Sequence, residues 1–353
     1  MNNSQIKIGK HIIGQDQPPF IIAEMSGNHN QSLERALDIV EAAAESGAHA
    51  IKLQTYTADT ITLDVNNNDF NISDKNSLWF EKNLHDLYQL AFTPWEWHKP
   101  IMQKSKDLGL ICFSSPFDET AVDFLETLNV PAYKIASFEN NHLPLIRKVA
   151  ATGKPIIIST GMSTLKDIEE TVLTAKNAGC KNLIILKCTS SYPASPIETN
   201  ILTIPDLKQR FKCQVGLSDH TMGIGVSIAA VAHGATAIEK HFTLNRSDGG
   251  VDSAFSIEPS ELNTLVIEAY RAWQSLGGIS YEFSKAEKKS MNYKRSLYIA
   301  ENMKAGEVLT EKNLRIVRPG YGLHPRYYDE LLGEKILKDT KKGEALNWSH
   351  VKC

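Results

Sequence analysis

The sequence has few of the features that mark secreted, membrane or nucleic-acid-binding proteins. Its five cysteines are odd in number and include no Cys-x-x-Cys pair, which argues against a disulfide framework or a zinc knuckle. No stretch approaches the roughly 18 apolar residues that span a bilayer, and residues 1–14 contain no apolar core of a secretory signal. The net charge of −3 offers no basic excess for nucleic acid. Composition therefore predicts a cytoplasmic enzyme that binds neither membranes nor nucleic acid.

Eight short apolar runs alternate with stretches of helical length between about residues 19 and 275. They are FIIAE (20–24), AIKLQ (50–54), LICFSS (110–115), AYKIAS (132–137), PIIIST (155–160), LIILKC (183–188), QVGLSD (214–219) and AIEKHF (237–242). Most follow a glycine or proline that would end the preceding helix. Eight such units match an α/β fold of the (β/α)8 TIM-barrel type, whereas the alternative, a doubly wound open sheet, does not favour eight.

Two regions interrupt this alternation. An insertion over 55–93 has an Asn/Asp-rich middle that is incompatible with a regular barrel helix and predicts a lid or rim. A Gly-, Ser- and Lys-rich connector follows at 275–292, and beyond it KAGEVLTEKNL (304–314) resembles KKGEALNWSHV (341–351). The sequence thus predicts a barrel over 1–276, a linker over 277–291, and a small β-rich domain with Lys-x-Gly-Glu turns over 292–353.

Polar residues end nearly every apolar run, and in a TIM barrel the chemistry gathers at the carboxyl ends of the strands. Lys52, Lys134 and Lys187 lie in the second, fourth and sixth runs, where a buried ammonium group is costly unless an anion meets it. Hydroxyl donors are available at Ser114, Ser115, Ser137, Ser159, Thr160 and Ser218. Together they predict an anion cradle for a substrate with phosphate or carboxylate groups. A Schiff-base lysine is the competing interpretation.

Two histidines, His220 and His241, end the neighbouring seventh and eighth runs. Imidazoles on adjacent strand ends can share a divalent ion such as manganese, iron(II) or cobalt, with carboxylates or waters completing the shell. The alternative is a pair of packed core histidines. Glu24, Glu139 and Asp252 are candidates for proton transfer or for binding sugar hydroxyls, and helix capping is the alternative role for each.

The segments that carry these residues resemble those of the sialic acid synthase family, the phosphoenolpyruvate-dependent nonulosonate synthases. They are IIAEMSGNHNQSLERA, GAHAIKLQTYTADT, FSSPFDETAVDFL, YKIASFEN, IISTGMS, LKCTSSYP, GLSDHT and AIEKHFT. SLYIAENMKAGEVLTEKNLRIVRPGYGL resembles the SAF (antifreeze-like, β-clip) domain of the same enzymes. The loop GGVDSAFSIEP (249–259) lacks the Gly-Pro-Asp-His type of sequence usual in sialic and legionaminic acid synthases. It resembles the branch of the family that makes pseudaminic acid.

The resemblance implies a transferase that condenses phosphoenolpyruvate with an amino sugar, 2,4-diacetamido-2,4,6-trideoxy-L-altrose, and water. Synthesis of N-acetylneuraminic or legionaminic acid is the alternative within the family. It also implies a divalent metal, Mn²⁺ in the first instance and Mg²⁺ or Co²⁺ otherwise, bound by His220 and His241. A domain-swapped homodimer is expected, in which Arg318 of the SAF domain reaches the active site of the other subunit.

The resemblance assigns the remaining site residues in three groups. Catalytic residues are Glu24, Glu139 and Lys134; phosphoenolpyruvate contacts are Lys52, Ser115, Lys134, Ser137, Ser159, Lys187 and Ser218; sugar contacts are Gln54, Tyr192, Asp252 and Arg318. Of the two glutamates, either one is placed to move the proton of the attacking water.

Overall fold

A computed structural model describes residues 5–75 and 77–351 of the chain. The chain divides into two compact units, with the division between Gly277 and Gly278. The predicted end of the barrel domain, at residue 276, lies one residue before this division. The short helix Lys285–Ser290 occupies part of the segment that the sequence interpretation treats as a linker.

The first unit contains a closed barrel of parallel strands, as predicted. An antiparallel hairpin of β1 (Ile6–Ile8) and β2 (His11–Ile13) precedes it. The barrel strands are β3 (Phe20–Glu24), β4 (Ala50–Thr55), β5 (Ile111–Pro116), β6 (Tyr133–Ile135), β7 (Ile156–Ser159), β8 (Leu183–Cys188), β9 (Gln214–Ser218) and β10 (Ala237–His241). Pairing of β10 with β3 closes the ring. Each strand lies within one of the predicted apolar runs or extends it by a single residue, because strands buried on both faces are apolar throughout.

Helices follow the barrel strands, mostly on the outside of the barrel. They are α1 (Leu33–Glu45), α2 (Ala58–Ile61), α3 (Leu84–Ala91), α4 (Trp95–Asp107), α5 (Glu119–Thr127), α6 (Leu143–Ala151), α7 (Leu165–Asn177), α8 (Thr203–Phe211), α9 (Gly225–Ala232) and α10 (Pro259–Leu276). Of these, α2 and α3 belong to the insertion over 55–93. Side-chain caps fix several of their starts, as at Ser32, Asp118 and Thr164. Within the described residues, none of these helices has both the length and the apolarity needed to cross a membrane.

Strand alternation separates two apolar clusters. Residues facing outward pack against the helices, while Phe20, Ala50, Ile111, Ala132 and Ala237, near the amino ends of their strands, face inward. Three isoleucines of the hairpin β1–β2 join this inner cluster: Ile6, Ile8 and Ile13. The hairpin therefore closes the amino end of the barrel, a feature that the sequence interpretation does not include, and leaves the carboxyl end for the site.

The insertion over 55–93 is only partly helical. It contains α2, a 3-10 turn over Asn68–Phe70 and α3, with irregular chain between them. Asn71 and Asn83, within the insertion, pair in an isolated antiparallel bridge. The Asn/Asp-rich middle thus forms no regular barrel helix, in agreement with the expectation, and the insertion lies at the carboxyl end of the barrel.

The second unit is a small domain with β11 (Ser296–Ile299) and β12 (Leu314–Val317) paired antiparallel, preceded by α11 (Lys285–Ser290) and followed by α12 (Tyr328–Leu331). Its core is aliphatic: Leu297, Ile299, Met303, Leu309, Leu314, Leu331, Ile336, Leu346 and Val351. The two similar segments form the same turn, with Gly306 and Gly343 at φ of +90° and +87°. In both turns a glutamate, Glu307 or Glu344, accepts from the backbone N–H of the residue three before it.

Gly216 in β9 marks a close approach of barrel backbone. A Cβ atom at this position would overlap the carbonyl oxygen of Ala237 on the neighbouring strand and lie 2.7 Å from Cδ2 of Leu186. We expect Gly216→Ala to lower the free energy of unfolding by about 1–3 kcal/mol, because neither the backbone oxygen nor the packed leucine is free to move away. Urea denaturation measures the change. Gly225→Ala is the matched control, since its Cβ would meet nothing within 4 Å; an equal loss in both variants would contradict the prediction.

Candidate active site

A cavity of about 320 Å³ lies at the carboxyl ends of the barrel strands. Most of the predicted site residues line it: Glu24, Lys52, Gln54, Lys134, Ser137, Glu139, Ser159, Tyr192, Ser218, His220, His241 and Asp252. Ser115 adjoins them, with its Oγ 3.3 Å from Nζ of Lys52. Of the other predicted site residues, Lys187 lines a separate cleft and Arg318 belongs to the second unit.

A buried carboxylate, Glu239, holds two lysines together in the centre of the cavity. Its Oε1 lies 2.7 Å from Nζ of Lys134 and 3.5 Å from Nζ of Lys52, and it accepts a hydrogen bond from Ser218 Oγ at 3.2 Å. On its other side Lys52 lies 3.0 Å from Oε2 of Glu24. Lys52, Lys134 and Glu239 converge because each is an inward-facing residue of its strand.

Burial and charge act in opposite directions on these carboxyl groups. Burial disfavours ionisation of Glu239, but the charges of Lys134 and Lys52 outweigh it and lower the pKa of the carboxyl to about 2. For Glu24 burial dominates over the attraction of Lys52 and raises the pKa to about 7. Glu139 behaves like Glu24, since burial raises its pKa to about 7 against the more distant charges of Lys52 and Lys134. Neutral pH therefore leaves one firmly ionised carboxylate between the two lysines.

The two predicted metal-binding histidines lie side by side, with ring centroids 5.3 Å apart. Nδ1 of His220 is 2.9 Å from the carbonyl oxygen of Thr189; because a carbonyl only accepts, Nδ1 carries the hydrogen, and the neutral form of the ring leaves Nε2 as a lone-pair donor. Burial favours this neutral form, but the neighbouring Cys188 outweighs it and raises the pKa of His220, so a metal ion at Nε2 would compete with a proton. Burial lowers the pKa of His241, which keeps that imidazole in the neutral form that binds metals. The pair thus fits a shared divalent ion. No cluster of three or more His, Cys, Asp or Glu suited to a metal occurs among residues 5–75 and 77–351.

A second buried ion pair lies next to the histidines in the chain, on the side of the strands that faces away from the cavity. Lys240 and Asp219, the neighbours of His241 and His220, point away from the cavity and lie 3.1 Å apart. Asp219 also accepts from Ser227 at 2.6 Å and from the amide and hydroxyl of Thr221 at 2.9 and 2.7 Å. These contacts fix the backbone on both sides of His220.

A row of hydrogen bonds runs along the side of the cavity that carries the predicted sugar contacts. Nε2 of Gln54 donates to Oε1 of Glu24 at 2.9 Å and to Oγ of Ser26 at 3.0 Å. Ser26 donates in turn to the carboxylate of Asp252. The ring of Tyr192 is tilted against that of His220, with centroids 4.5 Å apart, and lies edge-on to that of His241 at 6.4 Å. The row orients several acceptors toward the cavity.

Several polar atoms of the site are buried and lack hydrogen-bond partners within the described residues. They are Oε2 of Glu139, Oγ of Ser159, Oε2 of Glu239 and Nδ1 of His241. The last lies 3.7 Å from Asp252, which is too far for a hydrogen bond. Buried polar groups in folded proteins are normally paired. Their concentration here is what a site shaped around a polar ligand requires.

Lys187 corrects one prediction. Ile184 and Leu186 of β8 face the barrel interior and Cys188 faces the cavity, so alternation turns Lys187 outward. Its Nζ donates to the carbonyl of Cys188 at 2.8 Å and to Thr189 Oγ1 at 3.1 Å, on a separate cleft at the rim. The expected convergence of three lysines is therefore wrong; two converge, and the third is one residue out of phase.

Arg318, the remaining predicted site residue, belongs to the second unit. It follows β12 directly and its side chain is exposed. Within its own unit it is thus available to a ligand or to another subunit.

Two groups that line the cavity, Glu239 and Ser26, have no role in the sequence interpretation. Glu239 lies two residues before His241 and therefore on the same face of its strand, which was the available signal. Ser26 follows β3 in a left-handed conformation, φ +48°, and no sequence pattern marked it. The sequence likewise shows Asp219 and Lys240 as charged residues within apolar runs, but it does not indicate that they form an ion pair.

Comparison with known proteins agrees with this geometry. The profile of the NeuB family matches residues 39–281, and that of the SAF domain matches residues 294–352. The chain belongs to the NeuB family. The resemblance to the sialic acid synthases and the prediction of a TIM barrel followed by a SAF domain are therefore confirmed.

Relatives and solved structures share nearly the full length. A pseudaminic acid synthase of Campylobacter jejuni is 43% identical over 94% of this chain and 96% of its own length. One from Helicobacter pylori is 41% identical, with 94% and 97% covered. The crystal structure of a sialic acid synthetase from Leptospira borgpetersenii aligns with a TM-score of 0.73 at 31% identity, covering 82% of this chain and 95% of that one.

The raised pKa of Glu139 predicts a pH-dependent stability. An acid whose pKa lies above its ordinary value of 4.5 in the folded state stabilises the fold below that value, and the contribution is lost as pH rises through about 7. Glu139→Gln mimics the protonated form, so we expect it to differ from the wild type by less than about 1 kcal/mol at pH 5 and to be more stable at pH 8, by roughly 3 kcal/mol at most. Urea denaturation at both values measures this. Glu45→Gln, at an exposed position of α1, is the control; the same difference at pH 5 and pH 8 in Glu139→Gln would contradict the prediction.

Proposed function

We propose that the protein condenses phosphoenolpyruvate with 2,4-diacetamido-2,4,6-trideoxy-L-altrose and water, giving pseudaminic acid and phosphate. The observation that carries the proposal is the 41–43% identity to pseudaminic acid synthases over about 94% of the chain. An N,N'-diacetyllegionaminic acid synthase of Campylobacter jejuni is 37% identical. The buried cationic centre of the barrel supports a substrate with several negative charges.

Phosphoenolpyruvate would bind at the lysines of the barrel floor. Lys52 and Lys134 supply two ammonium groups that both contact the carboxylate of Glu239. Ser115 and Ser218 add hydroxyls to the same cluster. Ser137 and Ser159 add two more hydroxyl donors at the edge of this cluster. Within the described residues the Oγ of Ser159 has no hydrogen-bond partner, so it can donate to a phosphate oxygen. Lys187 does not belong to this set, because it faces the outer cleft.

His220 and His241 would hold the divalent ion, with Mn²⁺ the expected metal. Nε2 of His220 and the neutral ring of His241 are the donors, and water or substrate oxygens would complete the shell. Such an ion supplies Lewis-acid polarisation of the sugar aldehyde. The Asp219–Lys240 pair keeps both imidazoles in position for this role.

The remaining chemistry falls to the residues of the cavity. C3 of phosphoenolpyruvate forms the new carbon–carbon bond with the aldehyde carbon, the oxygen of water adds at C2, and phosphate leaves from C2 with cleavage of the C–O bond. Glu24 and Glu139, with pKa values of about 7, are each suited to take the proton from water. Lys134 stabilises the carboxylate and phosphate charges through these steps. Gln54, Tyr192 and Asp252 would bind the sugar.

A domain-swapped dimer would complete the site. Arg318 is exposed on its own unit, and we propose that it reaches the sugar in the active site of the partner subunit. A guanidinium group suits an acetamido carbonyl or a carboxylate oxygen. Each site would then require residues of two chains.

The activity is tested by phosphate release. We expect release when the protein is incubated with Mn²⁺, phosphoenolpyruvate and the trideoxy sugar, loss of release with a chelator, and recovery on adding Mn²⁺. His220→Ala should lose the metal-dependent turnover and keep its circular dichroism spectrum, because a residue at the mouth contributes little to the core.

Two outcomes would overturn the proposal. Release with N-acetylmannosamine and none with the trideoxy sugar would move the protein to another branch of the family. Chelator-insensitive activity, together with covalent labelling of Lys134 by pyruvate and borohydride, would indicate a Schiff-base aldolase.

The proposed action of Arg318 across subunits is tested by complementation between two inactive variants. Arg318→Ala and Lys52→Met should each be nearly inactive alone. Co-expressed with different tags, they should form heterodimers that contain one intact site, so the mixture should recover about a quarter of wild-type activity. Purified heterodimers without activity would show that Arg318 does not act across subunits.

A further inference from the structure

The cavity has two chemically different sides. Ionisable and hydroxyl groups of the barrel strands cover its floor, whereas the insertion over 55–93 covers the facing side with aliphatic and aromatic groups. Ile61, Ile72, Leu84 and Leu87 all line the cavity from this insertion. We call these four residues the apolar wall.

Hydrogen bonds and ring contacts hold the apolar wall in place. Backbone pairing of Ile72 with Glu81 and Lys82, at 2.9 and 3.0 Å, joins its first half to its second. Trp79 Nε1 donates to the carbonyl of Val251 in the loop after β10 at 3.0 Å. The insertion is thus fastened to the barrel mouth at Trp79, while its residues 63–69 are exposed to solvent.

These contacts place the wall beside the predicted sugar contacts. The ring of Trp79 lies 6.0 Å from that of Tyr192, and Val251 directly precedes Asp252. The insertion itself begins one residue after Gln54. Three of the groups proposed for phosphoenolpyruvate, Lys134, Ser159 and Ser218, belong instead to β6, β7 and β9, on strands that do not lead into the insertion. A fourth, Lys52, lies on β4 two residues before Gln54, nearer the amino end of that strand.

The chemistry of the proposed sugar matches such a surface. Its two acetamido groups and its C6 each end in a methyl group, whereas N-acetylmannosamine carries hydroxyls at C4 and C6. A hydroxyl pressed against aliphatic side chains loses its hydrogen bonds to water without replacement. Tyr56 and Tyr88, whose rings meet edge to face at 5.8 Å beside the wall, offer hydroxyls for the polar part of an acetamide.

We propose that the apolar wall of Ile61, Ile72, Leu84 and Leu87 is a specificity-determining surface that receives the deoxygenated, acetamido-bearing end of the sugar. The inference rests on the proposed function, since it names which part of that substrate the insertion reads. It assigns discrimination between sugars to the insertion and leaves binding of phosphoenolpyruvate to the barrel floor.

The test compares two sugars in variants of the wall. Leu84→Asn adds polarity at nearly constant size, and Ile72→Thr adds a hydroxyl and removes one carbon. Each is tested separately so that a folding defect in one leaves the other informative. We expect kcat/KM for the trideoxy sugar to fall about 10-fold or more, the effect of spoiling one methyl contact in an apolar pocket. The ratio of kcat/KM for the trideoxy sugar to that for N-acetylmannosamine should fall with it, and KM for phosphoenolpyruvate should stay within about two-fold.

Leu78→Asn is the matched control, because Leu78 belongs to the same insertion, is 48% exposed and lines a different cleft. Thermal denaturation establishes that each variant is folded. A wild-type enzyme that turns over the trideoxy sugar, with folded wall variants that keep the wild-type ratio between the two sugars, would overturn the role of the wall. A wild-type enzyme inactive on the trideoxy sugar would instead overturn the proposed function, so the two failures are distinguishable.

Discussion

The carboxylate of Glu239, buried between Lys52 and Lys134, sets the character of the barrel interior. An unpaired ammonium group in this position would cost several kcal/mol in lost hydration, and one carboxylate shared by two lysines offsets that cost only in part. Glu24, which also contacts Lys52, has a pKa of about 7 and is only partly ionised near neutrality. The two lysines therefore outnumber the firmly ionised carboxylates at the floor of the cavity, which favours an anionic substrate.

Strand β10 links this charge cluster to the histidine pair. Glu239 and His241 point into the barrel, while Lys240 between them points outward and contacts Asp219 and Thr221. A shift of β10 by one residue would exchange the two faces and break both ion pairs at once. The ion pairs of Glu239 on the inner face of β10 and of Lys240 on its outer face thus fix the register of this strand. The same contacts that position the two lysines therefore also position His241.

The barrel, its eight strands and most polar residues at the strand ends could be predicted from sequence because they follow from alternation and from apolar runs. The same rule failed for Lys187, since an apolar run does not say which of its residues faces inward; Leu186 takes that position. The role of Glu239 was readable from its spacing to His241 but not its partners, because Lys134 lies 105 residues away in the chain. The hairpin β1–β2 escaped prediction because two three-residue strands carry too short a pattern.

The four residues of the apolar wall could not be brought together by prediction from sequence. Its residues are scattered through irregular chain, so no periodicity brings Ile72, Leu84 and Leu87 together; backbone pairing within the insertion and the bond from Trp79 to Val251 do so. A rigid barrel floor and a loop-borne wall impose different constraints. Substitutions of the floor alter the charge cluster and the strand register together, whereas substitutions of the wall change one surface of the cavity. Selectivity for a sugar can therefore change in the insertion while the condensation chemistry of the barrel stays the same.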